Sequence, residues 1–259
     1  MILRRLGNKR QIAKKIKAHF PSHNIYIEPF FGAGGMFFSK PKAKWNVLND
    51  LDEDVLNLFN VVCNHPEELK SRFYQMPISE ALWKHWKINK ETDCVMRAVR
   101  FLFLSNYGFM GKPETLRFLN GNASKLIIDK IIPTHDMLLG CEFTGVDFRE
   151  LFKKLPITNT DKTFVYCDPP YLDTGNNYSD GFTWQDASDL FEVLVGTGFK
   201  FAISEFDHPE ILRLADLHEL EVITIGERRN LANRRTEILV VNYRSDARYG
   251  LFSVAQLVE

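Results

Sequence analysis

Four short apolar runs, each ending abruptly in a turn or an acid, constrain this chain more than any other feature. They are IYIEPF (25–30), WNVLND (45–50), KTFVYCDPPY (162–171) and FKFAISE (199–205). Each has the length of a strand and is rich in β-branched and aromatic residues, as buried strands are. Between and around them, apolar residues recur at helical spacing. Ile12, Ile16 and Phe20 do so within KRQIAKKIKAHF, and so do residues of DVLNLFNVV (54–62), WQDASDLFEVLVGTG (184–198) and HPEILRLADLH (208–218). Strands alternating with helices predict a doubly wound α/β sheet. EVITIGE and EILVVNYR flank NLANRRT and predict closing strands with a hairpin-like connection.

The alternation breaks between residues 64 and 140. That stretch is aromatic and helical in period (LWKHWKI, VMRAVRFLFLSNY), then loop-like through GKPETLRFLNGNASK. It predicts a mostly helical insert at 63–140, dividing a catalytic unit made of 1–62 and 141–259. A chain of 259 residues suits one large domain with such an insert.

Lys and Arg number 33, as do Asp and Glu, so the formal net charge is zero, which argues against a generic nucleic-acid binder. The cations are unevenly spread, however. Residues 1–45 hold Arg4, Arg5, Lys9, Arg10, Lys14, Lys15, Lys17, Lys40, Lys42 and Lys44 against the single acid Glu28, and Arg228, Arg229, Arg234 and Arg235 form a second group. Two basic clusters on a neutral chain predict one positive side suited to phosphates. No apolar run approaches the roughly 18 residues of a membrane span, and MILRRLGNKRQ lacks a signal-peptide core. Cys63, Cys94, Cys141 and Cys167 have no CxxC spacing, which predicts reduced thiols, no metal site and a cytoplasmic setting.

Two constellations carry chemistry. The first is the turn Phe31-Gly32-Ala33-Gly34-Gly35 directly after a strand, with Asp50 ending the next strand. Glycines let backbone approach a ligand closely, and an acid so placed accepts hydrogen bonds from ribose hydroxyls. The turn does not match GxGxxG, so a nucleoside other than a dinucleotide is expected. The second is Asp168-Pro169-Pro170-Tyr171 at a strand end. The prolines stiffen the segment and donate nothing, so the Asp168 carboxylate and the Pro169 carbonyl make two fixed acceptors for an amino group. Tyr171 offers a flat face on which a base can stack.

With Leu6-Gly7-Asn8-Lys9 added, the chain resembles the Dam-type DNA adenine N6-methyltransferases, the D12 class or α-ordered group. The resemblance covers nearly the whole chain in the family's motif order. It implies a class I S-adenosylmethionine-dependent methyltransferase fold, a mixed doubly wound sheet whose insert is the target recognition domain. It implies a donor site of Gly7, Lys9, Glu28, Phe30, Phe31, Gly32, Gly34, Asp50, Asp147, Phe148, Asp168 and Tyr178, with Phe182 closing the Tyr-x-x-x-Phe that follows the catalytic motif. It also implies catalysis by Asp168, Pro169, Pro170 and Tyr171. The final strand is Glu237 to Tyr243.

The implied reaction moves a methyl group from S-adenosylmethionine to the N6 amine of an adenine flipped out of duplex DNA, leaving S-adenosylhomocysteine. The tetrapeptide alone also occurs in RNA and protein amine methyltransferases, and cytosine enzymes use a related turn that more often begins with Ser. A catalytically inert DNA-binding protein would be expected to have lost the acid or the aromatic residue. DNA contacts are expected from Asn106, Tyr107, Phe109, Lys112, Arg117, Arg234 and Arg235. The implied partners are duplex DNA and, in a restriction-modification setting, a cognate endonuclease, with a monomer favoured. Tyr107-Gly108-Phe109-Met110-Gly111 departs from the GATC readers' Tyr-Gly-Tyr-Asn-Gly, and Glu114 stands where those readers have Arg. A recognition site other than GATC is therefore expected.

Overall fold

The computed structural model describes residues 2–5, 9, 12–109, 112–117, 123–172, 181–229 and 234–245. After helix α1 (Ala13–Lys17) come strands β1 (Ile25–Glu28) and β2 (Trp45–Asn49), then helix α2 (Glu53–Asn64). The insert follows as α3 (Pro66–Gln75), α4 (Glu80–Ile88), α5 (Cys94–Tyr107), the hairpin of β3 (Gly108–Phe109) with β4 (Lys112–Leu116), and α6 (Ala123–Leu138). The alternation then resumes with β5 (Glu142–Thr144), α7 (Phe148–Lys154), β6 (Thr163–Cys167), α8 (Trp184–Thr197), β7 (Lys200–Phe206), α9 (Pro209–Leu217), β8 (Glu221–Arg229) and β9 (Arg234–Val241).

Seven strands form one sheet in the order β5-β2-β1-β6-β7-β9-β8. The first five run parallel, and β9 enters antiparallel between β7 and β8. This is the mixed doubly wound sheet the sequence predicts. Its middle strands are buried on both faces. Tyr26, Phe164, Tyr166 and Ala202 face one apolar cluster with α1, α2 and the insert. Ile27, Val165, Cys167 and Ile203 face the other, with α7, α8 and α9. Among the described residues no helix is long and apolar enough to cross a membrane.

Several helix ends carry the caps their sequences advertise. Asp52 accepts the Asp54 and Val55 amides at the start of α2, and Thr183 with Asp186 forms a capping box on α8. Gly198, with φ of 65°, ends α8 in the left-handed conformation that glycine favours.

The glycine-rich turn opens onto one 3₁₀ turn (Phe37–Ser39), because Phe37 is fully buried and Pro41 follows within two residues of its end. Two local expectations change. The segment KPETL, loop-like by composition, pairs as a strand with Gly108–Phe109. Of the helix expected over 9–20, the described residues form Ala13–Lys17.

The insert shares one core with the sheet. Trp83, Trp86, Val99, Phe103 and Ile131 belong to the same apolar cluster as Tyr26 and Leu48. Arg97 on α5 reaches Asp54 at 2.5 Å and Glu53 at 3.3 Å on α2, and Asn57 of α2 donates to the Cys94 carbonyl.

Gly34 has φ of 69°, and a Cβ there would lie 2.5 Å from the Phe38 ring and 2.7 Å from that of Phe31. Gly32 has φ of 52° with nothing within 4 Å. Gly32→Ala should cost about 1–2 kcal/mol from backbone conformation, and Gly34→Ala roughly 1–3 kcal/mol more from overpacking. Urea unfolding measures both, and equal losses would mean that the two rings yield freely.

Candidate active site

The C-terminal ends of β1, β2 and β6 meet at one edge of the sheet, where open α/β sheets bind ligands. Asn49 fixes this edge. Its side chain is 1% exposed and donates to the Pro29 and Val146 carbonyls, each at 2.9 Å. Its Oδ1 accepts the Thr144 hydroxyl at 2.7 Å and the Val146 amide at 3.1 Å. One amide thus joins the ends of β1, β2 and β5. The Phe31 amide donates to the Asn49 carbonyl at 2.8 Å, folding the glycine turn back over β2. The Asp50 carboxylate then receives the Gly32 amide at 2.5 Å and the Asp52 amide at 2.9 Å. Burial raises the Asp50 pKa, while Arg5, which is paired with Asp52 at 2.9 Å, acts the other way.

An aromatic group adjoins this turn. The Phe30 ring lies 5.7 Å from Phe148 and 5.9 Å, edge-on, from Phe182. Asp147 caps α7 and pairs with Arg149 at 3.0 Å. Arg149 also holds Asp186 at 2.6 Å and Asp189 at 2.7 Å, tying α7 to α8 with its guanidinium 4.4 Å from the Phe148 ring centre. The carboxylate of Asp147 is therefore set by a clamp of three acids on one arginine.

The third component is a buried charge network beyond β6. Lys9, 2% exposed, places Nζ 2.5 Å from Asp168 Oδ1 and 3.4 Å from Glu237 Oε1. It also donates to the Tyr171 hydroxyl and lies 4.3 Å from that ring's centre. Tyr171 in turn donates to Glu237 at 2.5 Å, and Ser204 donates to the same oxygen at 2.8 Å. The Tyr171 ring stands edge-on to Phe206 at 4.5 Å, and the Arg235 guanidinium lies 5.4 Å from the Phe206 ring. Burial first, then Asp168 and Glu237, hold the Tyr171 phenol well above its usual pKa, so it stays a neutral donor.

The structure thus gathers Lys9, Asp168 and Tyr171 in one cluster, and Gly32, Gly34 and Asp50 in an adjoining turn, with Phe30, Asp147 and Phe148 beside them. Other expected site residues lie elsewhere. Phe31 is buried among Phe37, Phe59 and Phe143, because the turn directs its ring into the core. Glu28 lies beneath the turn and accepts the Tyr26 hydroxyl at 2.7 Å; burial raises its pKa to about 8.

Asn106 and Tyr107 sit on the packed face of α5. Asn106 donates to the Ile2 and Leu102 carbonyls at 3.0 Å, and the Tyr107 hydroxyl bonds Ser124. The expected basic surface is also thinner than the sequence suggests. Lys9 and Lys40 are buried and Arg5 is paired. Arg117 is exposed at the end of the hairpin. Gly7 and Tyr178 lie outside the described residues, as do the side chains of Phe109, Lys112 and Arg234.

Sequence reasoning missed Asn49 and Ser204 as site residues, and it assigned Glu237 only to a strand. Their partners are remote along the chain, and only Asn49, in an Asn-Asp pair at a strand end, carried a local signal. Lys9→Ala would leave Asp168 and Glu237 without their shared cation, and breaking such a buried pair costs about 3–5 kcal/mol. Chemical denaturation of the variant should show a loss of that size, and a loss below about 1 kcal/mol would mean that water readily replaces the ammonium.

Residues 6–115 match the D12 class N6 adenine-specific DNA methyltransferase family. The chain is 31% identical over 237 residues to the DNA adenine methylase of Salmonella typhimurium, spanning 83% of this chain and 85% of that one. It is 24% identical over 271 residues to a type II methyltransferase of Lactococcus lactis subsp. cremoris, spanning 92% and 93%. With the DNA adenine methylase of Escherichia coli strain K12 it shares 26% identity over 205 residues, 73% of each chain. The family match takes in Lys9, the glycine turn and Asp50, and the Salmonella and Lactococcus alignments are too long to leave out Asp168 to Tyr171. The chain belongs to the D12 class of N6 adenine-specific DNA methyltransferases.

Proposed function

We propose that this DNA adenine methyltransferase takes its methyl group from S-adenosylmethionine and acts on an adenine flipped out of duplex DNA. The observation that carries this reading is the position of Asp168. Its carboxylate ends β6, the strand next to β1 and its glycine turn, so an amine held by Asp168 adjoins anything held by Asp50.

The residues present fit the donor. The space over Gly32 is open, since a Cβ there meets nothing within 4 Å, and the Asp50 carboxylate lies beside it. Asp50 would hold the ribose hydroxyls, Phe30 and Phe148 the faces of the donor's adenine, and Asp147 its amino edge. Bound there, the donor supplies an electrophilic methyl on a sulfonium and leaves as S-adenosylhomocysteine, its sulfur keeping the electrons of the broken C–S bond.

The chain's own work is alignment and electrostatics. A free adenine amine is a poor nucleophile because its lone pair is delocalised into the ring. Asp168 and the Pro169 carbonyl each accept one amine hydrogen, which favours a pyramidal nitrogen with its lone pair exposed. Pro169 and Pro170 keep the two acceptors at a fixed spacing. Tyr171, propped against Phe206 and held by Glu237, supports the flipped base. Lys9 keeps the Asp168 side chain in place. Once its bond to carbon forms, the nitrogen passes one proton to the Asp168 carboxylate and from there to water, and holding the reactants in line supplies much of the acceleration.

Residues 63–140 serve as the target-reading unit and 1–62 with 141–259 as the catalytic unit, with Arg117 and Arg235 toward the DNA. A cytoplasmic setting suits the four free thiols, and a cognate endonuclease remains a candidate partner. Incubation with labelled S-adenosylmethionine and duplex DNA, followed by nucleoside analysis, should yield N6-methyladenine. Asp168→Asn should lower turnover at least roughly a hundredfold, the scale for losing a positioned electrostatic partner. The variant should remain folded, because Glu237 still neutralises Lys9. Turnover within a few-fold of the parent would remove Asp168 from the chemistry. Where GATC readers hydrogen-bond with Asn and Arg, this chain has Met110, outside the described residues, and Glu114. Each lost bidentate contact removes about 1–3 kcal/mol of discrimination. Mapping methylated adenines in an expressing, methylation-free host should therefore give a site other than GATC, and a map confined to GATC would overturn this assignment.

A further inference from the structure

Glu205, on β7, takes no part in the chemistry above, yet it is 1% exposed, and the amide of Leu172, next to the catalytic segment, acts on its carboxyl. The ladder between β6 and β7 ends at the pair Cys167 and Ile203, while β7 itself continues to Phe206. Beyond Cys167 the chain turns through Pro169 and Pro170, which have no N–H to give. The edge of β7 that faces this segment therefore has amides the ladder cannot satisfy. Backbone amides alternate sides along a strand. The Asp207 amide goes to Thr236 next to β9, so that of Phe206 points toward β6. Glu205 folds back and accepts the Phe206 amide at 2.8 Å. The Leu172 amide, one residue past Tyr171, acts on the same carboxyl. Its second oxygen, Oε2, is buried without a hydrogen-bond partner among the described residues.

We propose that Glu205 is a positioning residue whose buried carboxyl stands in for the missing strand contacts and clamps the segment carrying Asp168 and Tyr171 to the edge of β7. This inference rests on Asp168 being the catalytic acid. The carboxyl does this as a neutral group. Burial raises its pKa to about 9, Lys9 opposes that shift and Asp168 reinforces it. Beside these, Glu237 lies on the adjoining strand β9, in register with Phe206. A neutral acid beside Asp168 leaves the carboxylate's charge for the amine, whereas an ionised one would repel Asp168 and loosen the segment.

Glu205→Gln keeps the acceptor and the neutral state, while Glu205→Ala removes both. With the full chain and duplex DNA, Glu205→Gln should retain kcat within about threefold. Glu205→Ala should lose at least tenfold in kcat, with donor affinity changed less than twofold. Hydrogen–deuterium exchange of the peptide containing Leu172 should speed up at least tenfold in the Ala variant and stay near the parent's rate in the Gln variant. That readout needs no turnover, so it tests the clamp even if the parent proves inactive on DNA.

The pH dependence separates clamp from filler. The folded pKa is above that of the unfolded chain, so stability falls as pH rises from the ordinary glutamate range through about 9. Glu205→Gln should flatten that fall and extend activity to higher pH. Should the Ala variant fail to fold, the Gln variant decides alone. Unchanged exchange at Leu172, an Ala variant with the parent's kcat, or a Gln variant with the parent's pH profile would each overturn the proposal.

Discussion

A single buried ammonium organises the candidate active site of this molecule. Lys9 comes from the N-terminal segment, Asp168 from the end of β6 and Glu237 from β9, and their side chains meet within 3.5 Å of one nitrogen. Taking such ions out of water costs several kcal/mol apiece, so the arrangement persists only when every partner is in place. The antiparallel strand β9 is therefore part of the site rather than a distant lid on the sheet. By entering between β7 and β8, it puts Glu237 within reach of Ser204, Tyr171 and Lys9 together.

Around this ion cluster the remaining buried acids are handled differently. At Glu28 and Glu205 burial outweighs the pull of Lys40 and Lys9, and their pKa values rise to about 8 and about 9. Both are held neutral near pH 7 and serve as hydrogen-bonding groups. Lys40, lowered to about 8 by its own burial, lies over the Tyr26 ring above Glu28 and balances that side. Charge is thus concentrated on Lys9, Asp168 and Glu237, while neighbouring carboxyls shape the backbone around them. One sheet edge can therefore hold many acids without a large net charge.

Much of this was legible in the sequence where a residue's role depends on its neighbours in the chain. The buried strands, the turn at Gly32 and Gly34, Asp50 at a strand end and the rigid segment at Asp168 all carry local signatures, and the sheet is present as expected. What the sequence did not reveal shares one physical cause. Asn106 and Tyr107 sit on a helix packed on several sides, and the sequence VMRAVRFLFLSNY does not say which helices will cover it. Phe31 has the composition of a ligand-facing aromatic, but the hydrogen bond from its own amide to Asn49 turns its ring inward. Glu237 could be read only as part of a strand, because Lys9 lies more than two hundred residues away in sequence.

The shared core between the insert and the sheet sets a limit on how this chain can be recombined. A segment that interrupts a sheet invites treatment as an exchangeable cassette. Here Arg97 grips Asp54 and Glu53, Asn57 holds the Cys94 carbonyl, and Trp83, Trp86 and Phe103 complete the cover over α2 and the sheet. A cut at the ends of the insert therefore passes through packed side chains rather than through a linker. Moving the insert into another scaffold means carrying the facing surface of α2 with it, so the transferable unit is larger than the segment that interrupts the sheet.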